Sequence, residues 1–150
     1  LGIELMLAAD IVIAADSTRF SQLEVKRGIM ATGGATIRMV ERAGWGNAMH
    51  VLLTGEEFTA ETALRMNFIQ EVVGNGTELA RALEVAESIA RQAPLAVRET
   101  MRSARTAMEK NRAAAVRELT SIQNLLLNSV DATEGLASFV ERRPANFVGK

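Results

Sequence analysis

The sequence predicts a mixed α/β first part followed by an all-α second part, and three observations carry that division. Two short β-rich runs, Ile11-Val12-Ile13 and residues 68–73, lie in the first half among helical stretches. Gly74-Asn75-Gly76 is the clearest turn signal in the chain. Beyond it, Leu79, Leu83, Ala86 and Ala90 begin a series of apolar residues at helical spacing, with no further strand pattern. The boundary is therefore set at that turn, giving parts 1–74 and 75–150.

The elements follow in order. Residues 1–9 form an apolar helix interrupted by one carboxylate, Glu4. Residues 11–14 are β-branched and bounded by Asp10 and Asp16, which suits a short buried strand, and 19–21 give a second extended piece. Residues 22–32 lack periodicity and lead into Gly33-Gly34, after which a helix runs over 35–43 to Gly44 as its stop. A further helix at 47–53 ends at Thr54-Gly55, and Thr59 caps the next, over 60–66. In the second part, Pro94 separates two helices and fits the first turn of the later one. Val97, Met101, Ala104 and Met108 make one apolar stripe, and Leu119, Ile122 and Leu126 another. Asp131-Ala132-Thr133-Glu134 resembles a capping box opening a helix whose apolar face is Leu136, Phe139 and Val140. Pro144 ends regular structure and leaves 145–150 as a short open segment.

Composition narrows the function classes. Of 150 residues, 48% are hydrophobic, enough for a core, and the formal net charge of −1 offers no basic face to nucleic acid or an anionic membrane. Cysteine is absent, so disulfides and thiolate-bound metals are excluded. The single histidine, His50, excludes multi-histidine metal sites, and its apolar helical surroundings suggest a packed or surface role. No apolar stretch approaches the ~20 residues of a membrane helix. The first ten residues lack the basic start of a signal peptide.

Few residues could carry chemistry. Glu4 is expensive in an apolar helix unless it is neutral, hydrogen-bonded or functional. Glu24 stands at a strand-to-loop exit, where reactive groups often sit. From spacing alone each is open to a structural reading, a solvated edge or satisfied ion pair, or to acid–base catalysis. Gly33-Gly34 before a helix lets the backbone approach a ligand closely, or simply meets a need for positive φ. Trp45, between two glycines, is expected to pack, and Arg142-Arg143 with Lys150 to form a small solvated basic end.

The order of these motifs resembles the crotonase superfamily, the enoyl-CoA hydratases and isomerases. The stretch GIELMLAADIVIAADSTRFSQLEVKRGIMATGGATIRM is similar to the middle of that family, through Gly2-Ile3-Glu4-Leu5, Asp10, Phe20, Glu24, Gly28, Gly33-Gly34 and Arg38. LLTGEEFTAETALRMNFIQEVV and EGLASFVERRPANF resemble two later family segments, so the likeness spans the whole chain. Leu23 and Met30-Ala31-Thr32 depart from it where prolines are usual. The resemblance implies the C-terminal portion of an α/β crotonase (ClpP-like spiral) fold: short strands and helices, then an all-α trimerisation region. The N-terminal half of the family fold is expected to be absent.

By the same resemblance, Glu4 and Glu24, twenty residues apart, are the two catalytic glutamates of a syn hydration of trans-2-enoyl-CoA thioesters. The Leu1 backbone N–H is one oxyanion-hole donor, and Gly33, Gly34, Phe147 and Lys150 contact substrate. Alternatives within the superfamily are an isomerase or another enolate-forming acyl-CoA enzyme. A different class is a non-catalytic oligomerisation module, with the fragment alone weakly active or inactive. The implied partners are an acyl-CoA substrate and further copies of the chain in a homo-trimer or hexamer. No nucleic acid, membrane, metal or cofactor is implied, because the thioester itself is the electron sink. A bacterial cytoplasm is the expected compartment, with mitochondria or peroxisomes as the alternatives.

Overall fold

The computed structural model describes residues 2–150, which separate into two compact units, one ending at Glu84 and one spanning 85–150. The division falls inside a helix downstream of the Gly74-Asn75-Gly76 turn.

The first unit contains α1 (Gly2–Ala8), β1 (Ile13–Ala15), β2 (Arg19–Phe20), a 3₁₀ turn (Glu24–Arg27), α2 (Ala35–Thr54), β3 (Phe58–Thr59), α3 (Ala60–Arg65) and β4 (Glu71–Val73). Its strands form two two-stranded pairings. β1 runs parallel to β4, with Ile13 opposite Glu71, Ala14 opposite Val72 and Ala15 opposite Val73. A parallel pair needs a long crossover, and α2 and α3 lie within it. The Asp16 N–H donates to the Val73 carbonyl at 2.8 Å and continues the pairing. β2 runs antiparallel to β3, with Arg19 opposite Thr59 and Phe20 opposite Phe58. The two-residue β3 has no period of its own to read, which is why the sequence does not disclose it.

Aromatic packing fixes the corner that precedes Glu24. Phe20 and Phe58 stack with ring centroids 5.4 Å apart, and Phe58 meets Phe68 at 5.8 Å in a tilted contact. Such pairs add ~0.5–1.5 kcal/mol beyond the area they bury. Phe68, Met39 and Ile69 are the largest fully buried side chains, and Ile3 and Leu7 of α1 join the same core. Arg42 of α2 holds the exit of α1: its guanidinium donates to the carbonyls of Leu7, Ala9 and Phe68. These include last-turn carbonyls that have no partner within the helix.

Gly44 is not a full stop. Helical residues continue beyond it to Thr54, with Gly44 alone breaking the geometry at φ 75 and ψ 166. Only glycine reaches that conformation cheaply. Thr59 caps α3 as expected, its Oγ1 accepting from the Thr62 N–H at 3.2 Å. Trp45 does not pack: it stands 70% exposed beside the kink.

The second unit is helical: the later part of α4 (Glu78–Ala90), then α5 (Pro94–Glu109), α6 (Arg112–Leu127) and α7 (Val130–Glu141). Pro94 occupies the first turn of α5, where its missing N–H costs nothing. α5 packs on α6, and α6 on α7. Two expectations fail here. The cap of α7 is Ser129, whose Oγ accepts from the Ala132 N–H at 3.0 Å, so Asp131 and Glu134 are freed for other partners. Those partners are in the segment after Pro144, which is not open. Asp131, buried, accepts from the Val148 N–H at 2.7 Å and the Gly149 N–H at 2.9 Å. Glu134 accepts from the Asn146 N–H at 2.8 Å and from Arg143 at 2.6 and 2.9 Å. The Lys150 carbonyl in turn accepts from the Val130 N–H at 2.7 Å.

The apolar stripes of this unit are only partly used within it. Ile122 is buried, but Leu136, Phe139 and Val140 of α7 are 69%, 81% and 71% exposed.

Candidate active site

Glu4 sits in the first turn of α1 and is buried at 8% exposure. Its Oε1 accepts from the Gly33 backbone N–H at 2.6 Å, a short charge-assisted contact. The loop reaches it because position 33 has no side chain: a Cβ there would stand 2.5–2.8 Å from the Glu4 carboxylate atoms. Gly34 follows at φ 101 and opens α2, while Arg38, one turn later, donates from Nη1 to the Gly33 carbonyl at 3.0 Å. The glycine pair is thus clamped on both sides of residue 33, its N–H by Glu4 and its carbonyl by Arg38. That amide offsets part of the expense of a carboxylate in an apolar helix.

Glu24 begins the 3₁₀ turn, four residues after Phe20, and its carbonyl accepts from the Ile29 N–H at 3.2 Å. It borders two spaces. One is a depression of about 740 Å³ lined by Gly2, Ile3 and Met6 of α1, residues 12–15 around β1, residues 18–24, Arg27, Ile29 and Glu78. The other is a slot of about 190 Å³ whose walls include Val25, Met30, Ala31, Met49, Leu52 and Leu53. One carboxylate therefore stands between a space with charged walls and an almost wholly apolar one.

The structure relates the sequence-derived residues unevenly. Gly2 and Ile3, which precede Glu4, share the larger depression with Glu24, while Glu4 itself does not line it and its side chain is turned to Gly33. Phe147 and Lys150 belong to the second unit, within the segment held by Asp131 and Glu134. Leu1 lies outside the described residues. His50 is exposed on α2. Among the described residues no three His, Asp or Glu side chains converge as metal ligands. Two residues of the depression escaped the sequence reading: Arg27 and Glu78, neither marked by any pattern before its neighbours in space are known.

The chain is similar to known proteins over nearly its whole length. The family model described as Enoyl-CoA hydratase/isomerase matches residues 1–150. The chain is 31% identical over 149 residues to 2,3-dehydroadipyl-CoA hydratase of Escherichia coli, covering 99% of this chain and 58% of the relative. It is 36% identical over 148 residues to enoyl-CoA hydratase EchA19 of Mycobacterium tuberculosis, covering 97% and 55%. It therefore spans little more than half the length of these relatives. Among solved structures, a probable enoyl-CoA hydratase/isomerase from Mycobacterium abscessus superposes with a TM-score of 0.97 at 50% identity, covering 99% of this chain and 58% of that one. An enoyl-CoA hydratase from Mycobacterium tuberculosis gives 0.93 at 36% identity, with 99% and 59% covered.

Proposed function

We propose that this chain, which belongs to the enoyl-CoA hydratase/isomerase family of the crotonase superfamily, supplies both acid–base carboxylates of an enoyl-CoA hydratase. The observation that carries the reading is the held Glu4: a buried carboxylate pinned at one oxygen by the Gly33 N–H, on a helix whose Gly2 and Ile3 share a depression with Glu24. In this reading Glu4 takes a proton from water as its oxygen adds to C3 of a trans-2-enoyl thioester. Glu24 gives a proton to C2 on the same face, and a syn addition results. Negative charge gathers meanwhile on the thioester oxygen, where each backbone N–H donor contributes ~3–4 kcal/mol. The Leu1 N–H is assigned as one such donor by resemblance. The apolar slot beside Glu24 suits the acyl chain.

The test is hydration of crotonyl-CoA by the intact protein. Glu4→Gln and Glu24→Gln are each expected to lower kcat by ~10²–10⁴, the range of a lost general acid or base. Turnover should survive a chelator, since the thioester itself accepts the charge. Near-normal kcat in both variants sinks the reading.

The exposed Leu136, Phe139 and Val140 of α7 support self-association as a homo-trimer or hexamer. Sedimentation of the intact protein is expected to show a trimer or its double, and a monomer at micromolar concentration would count against it.

A further inference from the structure

Thr36 near the start of α2 and Leu52 and Leu53 near its end line the same apolar slot of about 190 Å³. Along an unbroken helix Thr36 and Leu53 would stand roughly 25 Å apart, at ~1.5 Å per residue. The break at Gly44, φ 75 and ψ 166, turns the two halves toward one space. Val25, Met30 and Ala31 close it from the loop side. Ala31 and Leu52 are buried, whereas Met30 and Leu53 are 64% and 67% exposed, so the slot has a buried floor and an open rim. Its walls carry no lysine or arginine, and the one charged residue among them is Glu24, an anion. At ~30 Å³ for a group the size of a water molecule, the slot takes roughly six methylenes.

We propose that this slot selects enoyl thioesters with an unbranched, uncharged tail of medium length, filled by roughly six carbons beyond C3. A tail that ends in a carboxylate is rejected, because that charge would be desolvated with no cation to meet it and with Glu24 nearby. This rests on the thioester site proposed above and names its substrate class.

The experiment is calorimetric titration of the intact protein with butyryl-, hexanoyl-, octanoyl- and adipyl-CoA, none of which has a double bond to hydrate. Each methylene taken from water is expected to tighten binding about three- to four-fold, so octanoyl-CoA should bind ~10²-fold tighter than butyryl-CoA. Adipyl-CoA, as long as hexanoyl-CoA but ending in a carboxylate, should bind at least ten-fold weaker than it. Leu53→Arg, at the exposed rim, should weaken octanoyl-CoA and tighten adipyl-CoA, with the least effect on butyryl-CoA. Equal affinities for butyryl- and octanoyl-CoA overturn the inference, and so does adipyl-CoA binding as tightly as hexanoyl-CoA. Leu53→Arg leaving all four affinities unchanged also overturns it. Should that variant weaken all four alike, Met49→Trp decides: loss concentrated on octanoyl-CoA supports the slot, and equal loss of every ligand overturns it. A wild type that shows the gradient without hydrating crotonyl-CoA fails the hydratase reading and leaves this one standing. One that hydrates crotonyl-CoA and shows no gradient, or binds none of the four, overturns this one.

Discussion

Replacing Gly33 with alanine separates the two things that glycine does. The φ at this position is outside the left-handed region, so the backbone itself accepts a side chain. The nearest conflict is with Glu4: the new Cβ would lie 2.5 Å from Oε2, 2.6 Å from Cδ and 2.8 Å from Oε1. Ordinary contact begins near 3.4 Å, so the carboxylate or the loop must move by roughly 1 Å. That movement breaks the 2.6 Å bond from the Gly33 N–H. A hydrogen bond to a charged group contributes ~1.5–3 kcal/mol, part of which water recovers at the loop surface, so a loss of ~1–2 kcal/mol in stability is expected. The effect on turnover should be larger, because a displacement of ~1 Å at a reacting group can cost ~10²-fold. Crotonyl-CoA hydration and thermal unfolding, measured on the same preparation, give the two numbers. Gly34→Ala is the comparison, since it strains a positive φ and meets the Arg38 guanidinium, reaching Glu4 only indirectly through the Gly33 carbonyl that Arg38 holds. It should destabilise comparably, by ~1–2 kcal/mol for the forced left-handed residue, with the smaller loss of kcat. Gly33→Ala retaining more than half of wild-type turnover would refute the claim that this amide sets the Glu4 carboxylate.

Two predictions concern the second unit. Asp131→Ala should free the Val148 and Gly149 amides, which are its hydrogen-bond donors, and speed their exchange with deuterated water by at least ten-fold. Unaltered protection of both amides would show that the carboxylate does not hold the segment. Glu134 has its pKa lowered from 4.5 to about 2, first by hydrogen bonding to Arg143 and then by the Asn146 N–H. A lowered folded value means that its stabilising contribution is full above pH 4.5 and is lost as pH falls toward 2. The thermal midpoint of the wild type minus that of Glu134→Gln should therefore shrink over that window, and a constant difference would contradict it.

Local rules read much of this fold because its signals are local. Thr59 caps a helix with its own hydroxyl, Pro94 begins one, and Gly44 interrupts one at the residue where the pattern changes. The failures arise where a distant residue outbids the local pattern. Asp131 and Glu134 have the spacing of a capping box, yet Ser129 takes the cap and the two carboxylates are drawn to amides 12–18 residues away. Trp45 has the composition of a core residue, but it flanks a kink that turns it to the surface. The candidate site divides in the same way. Glu4 and Glu24 could be paired from the sequence only through family resemblance, since neither spacing nor composition distinguishes a catalytic carboxylate from a structural one. The slot beside Glu24 could not be found at all, because Thr36 and Leu53 come to one space only in three dimensions, across the break at Gly44.

On the proposed acid–base reading of Glu4, its supports also explain why so apolar a helix is useful to it. A reacting carboxylate works best when its position is fixed before substrate arrives, so that no reorganisation is needed during the reaction. Ile3 and Leu7 bury one face of α1 in the core, Arg42 takes the carbonyls at its end, and Gly33 takes one carboxylate oxygen. The helix is only seven residues long, too short to persist by propensity alone. Its position is therefore set by tertiary contacts, and the contacts that set it converge on α2 and the glycine loop just before it. Arg42, Arg38 and Gly33 form one connected support. Arg38 fixes the Gly33 carbonyl, Gly33 fixes Glu4, and Arg42 fixes the helix that carries Glu4. Substitutions at Gly33 and at Arg38 should then be non-additive, because each acts on the same carboxylate through the same peptide.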